Sequence, residues 1–271
     1  MAKFAITKGL RYWDGLFHNP IEEEHKISLC TSCMGRGEDV KMTLIQNMKD
    51  NEDYPNVEFV LLNYGSRDDL NGWVRRSRYL RKQIDKGKLL YLRTKEPKFF
   101  NFTHSRNITF RAASGTVVSN VDADNYTKQG FATFLNKCAN ECPEKMLVRK
   151  IHNIHGRVAF FKREFVDILG GYDENMSGYG HEERDLTSRA LALDFLFMHF
   201  GSDFFKRNFF DRLSGNRTDT SCLEVKNIRT TENYNRRLSI QNISRGILRA
   251  NQGRHWGKAR LTVNFEREVV I

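Results

Sequence analysis

Short runs of apolar and β-branched residues alternate along the chain with longer stretches in which apolar residues recur at helical spacing. The short runs predict strands at residues 27–31, 57–63, 89–92 and 116–121. The longer stretches predict helices at residues 38–48, 69–85 and 99–113. This alternation indicates right-handed crossovers and a mostly parallel, Rossmann-like sheet flanked by helices. We therefore predict an α/β fold whose ligands bind beyond the carboxyl ends of the strands.

The fourth predicted strand ends in two aspartates, because residues 116–125 read TVVSNVDADN. If strand geometry persists through Asp122 and Asp124, both carboxylates face the same side of the sheet. Two carboxylates placed together suit a hard cation such as Mg²⁺ or Mn²⁺, which could in turn hold a diphosphate. The alternative is a polar turn that closes the strand, since Asp and Asn favour turns.

Polar residues follow the other predicted strands, so the carboxyl edge of the sheet should form an oxygen-rich rim. The residues expected there are Thr31, Ser32, Asn63, Tyr64, Asp122 and Asp124. Arg36 lies between two glycines, where a guanidinium can reach a diphosphate with little obstruction from the backbone. Residues 104–107, which read HSRN, offer further donors, although capping and surface charge would account for both segments equally well.

The second half carries another dense group of polar residues, because residues 177–186 read SGYGHEERDL. The glycines around Tyr179 predict a tight loop, and a helix should begin near His181. Acidic residues in a first helical turn have a structural explanation in the helix dipole. The same dipole would keep a carboxylate ionised, as a general base requires. Neighbouring helical residues diverge by about 100°, so only one of Glu182 and Glu183 should face a reaction centre, and Asp185 should share the face of Glu182.

Composition narrows the class of protein. The 271 residues carry a net charge of +11, which indicates an anionic partner, yet no nucleic-acid motif accompanies the charge and we expect no nucleic-acid partner. No apolar run is long enough for a membrane span and the start lacks a secretory signal, so we expect a cytoplasmic protein. The five cysteines are expected to be free thiols, in preference to a zinc site.

Taken together, these segments resemble nucleotide-sugar glycosyltransferases of the GT-A fold. The second half, which reads GRVAFF at 156–161, LGGYDE at 169–174 and SGYGHEERDL at 177–186, is similar to the C-terminal module of the beta-1,4-galactosyltransferases and polypeptide N-acetylgalactosaminyltransferases. The first half, with FVLLNYGS at 59–66 and residues 104–107, resembles bacterial family 2 members. The resemblance extends over residues 27–192.

The resemblance implies roles for individual residues. Asp122 and Asp124 would form the Asp-x-Asp motif and hold Mn²⁺ or Mg²⁺, with His199 the nearest candidate for a third ligand, although it lies among aromatic residues as a core histidine would. Glu183 would be the catalytic base, and Glu182 stays an alternative because the family base is usually the shorter Asp. The residues implied for donor binding are Thr31, Ser32, Arg36, Asn63, Ser66, His104, Asn107 and Asp122. Those implied for acceptor binding are Gly156, Arg157, Tyr179 (in place of the usual Trp), Gly180, Glu182 and Asp185.

The implied function is metal-dependent, inverting transfer of a hexose from a nucleotide-diphosphate donor, such as UDP-Gal, UDP-GalNAc or a related UDP-hexose. The acceptor would be a glycan or lipid-linked glycan in surface polysaccharide synthesis. The implied divisions are residues 1–26 (extension), 27–125 (donor half), 126–205 (acceptor half) and 206–271 (basic C-terminal extension). Residues 234–249 predict a basic amphipathic helix that could contact the inner face of a membrane. The rival functions are a nucleotidyltransferase and a non-catalytic protein that binds polyanions or membranes.

Overall fold

The structure is a computed structural model and describes residues 5–7, 10–12, 16–150, 158–200, 206–207 and 220–271. The strands of these residues are β1 (Ala5–Thr7), β2 (Leu10–Tyr12), β3 (Ile27–Cys33), β4 (Val57–Tyr64), β5 (Leu89–Thr94), β6 (Val117–Asn120), β7 (Asn125–Tyr126), β8 (Met146–Lys150), β9 (Val158–Phe161), β10 (Leu196–Phe200), β11 (Lys206–Arg207), β12 (Arg260–Val263) and β13 (Arg267–Val270). The helices are α1 (Gly37–Asp50), α2 (Leu70–Arg76), α3 (Arg78–Asp85), α4 (Phe102–Ala112), α5 (Phe131–Glu141), α6 (Lys162–Asp167), α7 (Glu182–Ala192) and α8 (Ile228–Ser244).

The described residues form one 11-stranded sheet in the order β1-β2-β10-β8-β9-β6-β3-β4-β5-β12-β13. Strands β6, β3, β4 and β5 pair in parallel, as the crossover pattern predicts, and β8 is parallel to β10. Strand β9 runs antiparallel between β6 and β8. The parallel strands therefore end at one shared edge, where ligands of α/β proteins bind. The predicted α/β fold with a central sheet flanked by helices is confirmed.

Apolar residues cover both faces of this sheet, which explains why the central strands are almost continuously buried. One core cluster packs residues of α1, α2, α3 and α5 against the sheet, and the other packs α4, α6 and α7 against the opposite face. Cys30 and Cys33 lie in different clusters, and none of the five cysteines forms a disulfide bond. The five cysteines are therefore thiols, as predicted.

The structure differs from the predicted elements where polar side chains cap the backbone. Residues 69–85 form two helices instead of one, because Ser77 is extended and its Oγ accepts a hydrogen bond from the Leu80 N–H at 3.3 Å. Helix α4 begins later than predicted, since Asn101 Oδ1 accepts from the His104 N–H at 3.0 Å. These side chains compete with the backbone for helical hydrogen bonds and so define the helix starts.

The two chain segments predicted as extensions contribute to the central sheet. Strand β12 pairs antiparallel with β5, and β13 pairs with β12. Near the other edge, β2 pairs in parallel with β10. Helix α8 covers 228–244 in place of the predicted 234–249, with Asn227 as its N-cap. The described C-terminal residues are thus part of the same α/β unit.

Candidate functional site

The two aspartates lie in a turn at the carboxyl edge of the sheet. Strand β6 ends at Asn120, and the Asn125 N–H donates to the Asp122 carbonyl at 3.0 Å, which closes a turn over Asp122 and Asp124. Strand geometry therefore does not persist through both residues, and the alternative of a polar turn that closes the strand is the one observed. The turn nevertheless presents both carboxylates at the expected edge.

Each aspartate contacts a different arginine. Asp124 Oδ2 lies 3.4 Å from Arg36 Nη2, and Arg36 Nε also pairs with Asp39 in the first turn of α1. Asp122 Oδ1 lies 3.4 Å from Arg106 Nη2 of α4. The aspartate turn therefore lies between two arginines, Arg36 from the loop before α1 and Arg106 from α4.

Arg106 connects the aspartate turn to the start of α7. Its Nη1 donates to Glu182 Oε1 at 3.2 Å and lies 3.3 Å from Glu183 Oε1. Its side chain is almost fully buried, as are those of Glu182 and Glu183. One guanidinium thus faces three carboxylates, and we call Arg106, Asp122, Glu182 and Glu183 the Arg106 cluster. The fork of N–H donors of an arginine suits such a role, because it can address several acceptors at once.

The electrostatics of this cluster are unusual for buried groups. Burial raises the pKa of Glu183 to about 7, with further increases from Asp122 and Glu182, although Arg106 and Arg149 lower it. The helix dipole predicts an ionised carboxylate at this position, whereas a pKa of about 7 leaves Glu183 only partly ionised near neutral pH. Burial alone would lower the pKa of Arg106, but the facing carboxylates raise it above its ordinary value.

Several oxygens of the cluster lack hydrogen bonds within the described part of the chain. Neither carboxylate oxygen of Glu183 has a hydrogen-bond partner, and neither has Glu182 Oε2. Unsatisfied buried acceptors cost stability and are rare in native proteins. Such oxygens are suited to accept a proton or hydrogen bond from a bound molecule, and an elevated carboxyl pKa close to neutral pH is typical of a general base.

Arg106 and Arg149 were not identified as site residues from the sequence. Arg106 occurs within the 104–107 segment, but the sequence pattern did not distinguish it from its neighbours. A signal that could have identified Arg106 is its position on α4 among residues 105–110, which are all buried. Arg149 lies on β8, where burial lowers its pKa and the nearby Glu183 raises it. A charged residue on a buried face requires a partner, so such a position indicates a charge cluster.

Two predicted donor residues lie at the end of β3. Thr31 Oγ1 donates to the Val121 carbonyl at 2.8 Å, and Ser32 Oγ lies 3.1 Å from Ser105 Oγ of α4. Both side chains are only partly buried. They therefore join β3 to the aspartate turn and to α4, and line the rim on which a nucleotide is expected.

The loop after β4 is bonded to the loop after β3. Ser66 Oγ accepts from the Gly35 N–H at 2.7 Å, and Asn63 Oδ1 accepts from the Ser66 N–H at 3.0 Å. Gly35 has a φ of +70°, a conformation that glycine adopts without strain. The structure thus places Asn63 and Ser66 beside the Arg36 loop, where their contact with a donor stays a prediction.

Two other predicted donor residues on α4 make structural contacts. Asn107 donates to the Tyr172 carbonyl and to Glu174 Oε1, both at 2.9 Å, and is fully buried. His104 accepts from the Tyr64 hydroxyl at Nδ1 (2.7 Å) and donates from Nε2 to the Lys258 carbonyl at 2.9 Å. These bonds account for both side chains, and their contact with a donor stays a prediction.

Helix α8 holds the predicted acceptor loop. Thr231 Oγ1 donates to the Tyr179 carbonyl at 2.8 Å, and Asn235 Nδ2 donates to the Gly180 carbonyl at 2.8 Å. The ring of Tyr179 packs edge-to-face on Phe102 of α4 at 5.2 Å. The residues that resemble an acceptor loop are therefore fixed on one side by the C-terminal helix and on the other by the helix that carries Arg106.

Among the remaining predicted acceptor residues, the structure describes Asp185, whose carboxylate is bonded within the protein. Asp185 Oδ2 accepts from Arg189 Nε at 2.8 Å, and Arg189 in turn donates to the Leu169 and Gly171 carbonyls. These contacts give Asp185 a structural role, and its contact with an acceptor stays a prediction. Gly156 and Arg157 lie outside the described residues.

A three-residue metal site does not form within the described ranges, where no group of three or more His, Cys, Asp or Glu side chains could hold an ion. His199 is on β10, three strands from β6, a separation of about 14 Å at the usual strand spacing, and is not grouped with the aspartates. The chemistry of Asp122 and Asp124 still fits a divalent cation shared with a diphosphate. Mg²⁺ in particular is commonly held by one or two carboxylates together with substrate phosphates.

Solved structures with a similar fold are glycosyltransferases. The mannosyltransferase PcManGT from Pyrobaculum calidifontis, solved with GDP-Man and Mn²⁺, matches with a TM-score of 0.55 and 18% identity over 69% of this chain and 57% of that chain. S. aureus TarS 1-349 matches with a TM-score of 0.54 and 14% identity over 90% of this chain and 98% of that chain. GalNAc-T7, solved with UDP, GalNAc and Mn²⁺, matches with a TM-score of 0.52 and 14% identity over 65% of this chain and 43% of that chain.

These similarities concern the fold, because all three identities are below 20%. The predicted GT-A fold is confirmed. No protein-family model and no curated protein sequence matches the chain. Function must therefore be argued from the site itself.

Proposed function

We propose that this protein is a metal-dependent, inverting glycosyltransferase that moves a hexose from a nucleotide-diphosphate donor to a glycan hydroxyl. The observation that carries the proposal is the Arg106 cluster, in which one buried guanidinium faces both the Asp122 side of the aspartate turn and the glutamate pair of α7. A donor-binding turn and a base must lie close together for direct transfer, and the cluster supplies that proximity.

The donor would bind along the rim formed by the ends of β3 and β4, with its diphosphate near the aspartate turn and Arg36. Similar folds have been solved with GDP-Man, UDP-GlcNAc and UDP with GalNAc. Following the sequence resemblance, we propose UDP-Gal, UDP-GalNAc or a related UDP-hexose. Asp122 and Asp124 would hold Mn²⁺ or Mg²⁺, which supplies positive charge for the leaving diphosphate.

Glu183 would accept the proton of the acceptor hydroxyl as that oxygen attacks the anomeric carbon. Its buried, unbonded oxygens and its pKa of about 7 support this role over Glu182, which already accepts a hydrogen bond from Arg106. Arg106 would be a positioning residue that keeps Glu183 next to the donor side of the site. Tyr179 would offer an aromatic face to the acceptor sugar.

Thermal unfolding in the presence of nucleotide sugars tests the donor assignment. UDP-Gal, UDP-GalNAc, UDP-GlcNAc and GDP-Man are each compared with and without MnCl₂, because a ligand at 100 times its Kd stabilises by about 2.7 kcal/mol. We expect a UDP-hexose to raise the Tm only with Mn²⁺, and Asp124→Asn to abolish the increase. Asp167→Asn, a change of an exposed acid in α6, is the matched control.

The rival functions predict different ligands in the same experiment. A nucleotidyltransferase would be stabilised by a nucleoside triphosphate in preference to a nucleotide sugar. A polyanion-binding protein would respond to RNA in a strongly salt-dependent manner and would be indifferent to Mn²⁺. Either pattern would replace the glycosyltransferase proposal.

We also propose that the outer face of α8 contacts an anionic membrane surface, which would suit a lipid-linked acceptor and a peripheral location at the inner face. No helix in the described part of the chain has an apolar stretch that could span a bilayer. Tyr234 and Ile240 are 54% and 57% exposed, and Arg236 and Arg237 are exposed between them. Arginines with exposed aromatic and aliphatic side chains are typical of interfacial helices.

Pelleting with vesicles of phosphatidylcholine, with or without phosphatidylglycerol, tests this contact. We expect binding only to the anionic vesicles, and loss of binding in the double variant Tyr234→Ser and Ile240→Ser. Unchanged pelleting of the double variant, or equal binding to neutral vesicles, would refute the contact. Thr230→Ser, an exposed and nearly isosteric change on α8, serves as the control.

A further inference from the structure

A cavity of about 370 Å³ opens at the start of α4, the helix that carries Arg106. Its walls come from the ends of β4 and β5, the start of α4, the loop before α7 and the segment before α8. The lining residues that matter here are Tyr64, Glu96, Phe99, Phe100, Gly178 and Glu224. Its volume falls in the usual range for small-molecule sites, about 300–1,000 Å³.

The described residues that line this cavity carry a charge opposite to that of the protein. Glu96 and Glu224 contribute two carboxylates, and none of the lining residues that the structure describes is Lys or Arg, although the whole chain carries a net charge of +11. A diphosphate or another anion would be repelled from such a wall. The cavity is therefore unsuited to the charged part of a nucleotide, and its ligand should be neutral or cationic.

The aromatic residues give the cavity a second property. Tyr64 and Phe100 pack edge-to-face at 5.7 Å, and Phe99, which is 43% exposed, stands at the opening. Aromatic faces bind the apolar faces of ligands, while carboxylates accept strong hydrogen bonds from hydroxyl or ammonium donors. A sugar ring offers both features, because its C–H groups and its hydroxyl groups lie on different sides.

The cavity is joined to the Arg106 cluster through a short series of contacts. Gly178 lines the cavity and precedes Tyr179, whose ring packs on Phe102 at 5.2 Å. The Phe102 ring lies 5.3 Å from the Arg106 guanidinium. These contacts place the rings of Tyr179 and Phe102 between the cavity and Arg106, so a ligand in the cavity would not displace the reacting groups.

We propose that this cavity binds an uncharged or amine-bearing sugar unit of the acceptor glycan, adjacent to the unit that carries the reacting hydroxyl. The proposal rests on the proposed transferase function and deepens it, because it restricts the acceptor class. Acceptors that carry phosphate, sulfate or carboxylate at this position are excluded by Glu96 and Glu224, whereas neutral and amino sugars are retained.

Binding of the full chain to an immobilised series of oligosaccharides tests the proposal. The series contains matched neutral, amine-bearing and sulfated or uronate-bearing glycans, and no donor is present. We expect neutral or amine-bearing glycans to be retained, and the affinity to fall at least tenfold in Phe99→Ala and in Glu96→Gln. Glu224→Lys should shift the preference towards sulfated glycans. Each changed residue is exposed, so the variants should fold.

Three results would overturn the proposal: retention of anionic glycans as strong as that of neutral ones, unchanged affinity in all three variants, and no retention of any neutral or amine-bearing glycan at millimolar concentration. Stabilisation by nucleotide sugars with Mn²⁺ is measured on the same proteins and should be unchanged in the variants. A protein that binds donor but shows one of these results retains the transferase function and loses only the cavity assignment.

Discussion

Two buried glutamates at opposite edges of the same sheet differ in almost every contact. Glu58 lies near the start of β4 and is 4% exposed, and Glu183 lies at the start of α7 and is 5% exposed. Glu58 accepts hydrogen bonds from Ser28 Oγ, the Ser114 N–H and Ser114 Oγ, each at 2.6 Å. The carboxylate of Glu183 has no hydrogen bond among the described residues, and its oxygen Oε1 lies 3.3 Å from Arg106 Nη1 in an ion pair.

The pKa values of the two carboxyls move in opposite directions for this reason. Burial alone would raise the pKa of Glu58, but its hydrogen bonds and Lys26 lower it below the ordinary value. Burial raises the pKa of Glu183 to about 7, because little compensates for the lost water. The comparison shows that burial by itself does not define a functional carboxylate. We propose Glu183 as the functional one because both of its carboxylate oxygens lack internal hydrogen-bond donors, and the missing partner can be a substrate.

The largest effect is expected from removing the unbonded carboxylate. Glu183→Gln should lower the rate of sugar transfer by about 10²–10⁴-fold, the usual contribution of a general base. Donor binding, measured by nucleotide-sugar stabilisation, should be retained because the aspartate turn is intact. Glu182→Gln is the matched neighbour and should reduce transfer less. If Glu182→Gln is the more damaging change, the base has been assigned to the wrong residue.

Two substitutions of Arg106 should distinguish the effect of its positive charge from the effect of its side-chain geometry. Both Arg106→Lys and Arg106→Gln should lower transfer by about 10²-fold, the penalty typical of a misplaced catalytic group. Only Arg106→Gln should move the acid limb of the kcat/KM profile above pH 7, because the positive charge of Arg106 lowers the pKa of Glu183. An unshifted limb in the Gln variant would show that Arg106 does not act on Glu183.

Stability of the wild type should respond to pH through Glu183. Its pKa is raised in the folded state from 4.5 to about 7, so the folded protein binds more protons and its free energy of unfolding falls as pH rises between these values. At about 1.4 kcal/mol per pKa unit, the loss is at most about 3.5 kcal/mol. Denaturant unfolding of Glu183→Gln should lack this loss, so the variant should gain stability relative to wild type from pH 4 to pH 8. Parallel curves for the two proteins would contradict the buried, protonatable carboxyl.

The smallest effect is expected at the opposite edge of the sheet. Glu58→Gln should lower the free energy of unfolding by about 2 kcal/mol at pH 7, since it weakens hydrogen bonds to a charged group. The lowered pKa of Glu58 means that this contribution is present above pH 4.5 and is lost as pH falls through the folded value. The change should leave sugar transfer intact. Glu22→Gln, on an exposed residue, should alter neither property.

Local patterns predicted much of the fold and part of the site. The strands at β3, β4, β5 and β6 are where the apolar runs indicated, because a strand buried on both faces needs a continuous apolar sequence. The start of α7 after the Gly-rich loop was also predicted, and this places Glu182 and Glu183. The division of the predicted helix 69–85 into α2 and α3 at Ser77 was not predicted, because it depends on a single side-chain hydrogen bond from the Leu80 N–H to Ser77 Oγ.

The α/β order of elements, the aspartates after β6 and the glutamates at the start of α7 can be read from neighbouring residues in the amino-acid sequence. The contact of Arg106 with both acidic segments cannot, because it depends on how α4 packs against the aspartate turn and α7. The same holds for the contact of α8 with the loop before α7, and for the cavity that Glu96 and Glu224 share. These contacts join residues that are distant in the chain, whereas the periodicity of apolar residues reports only on neighbours.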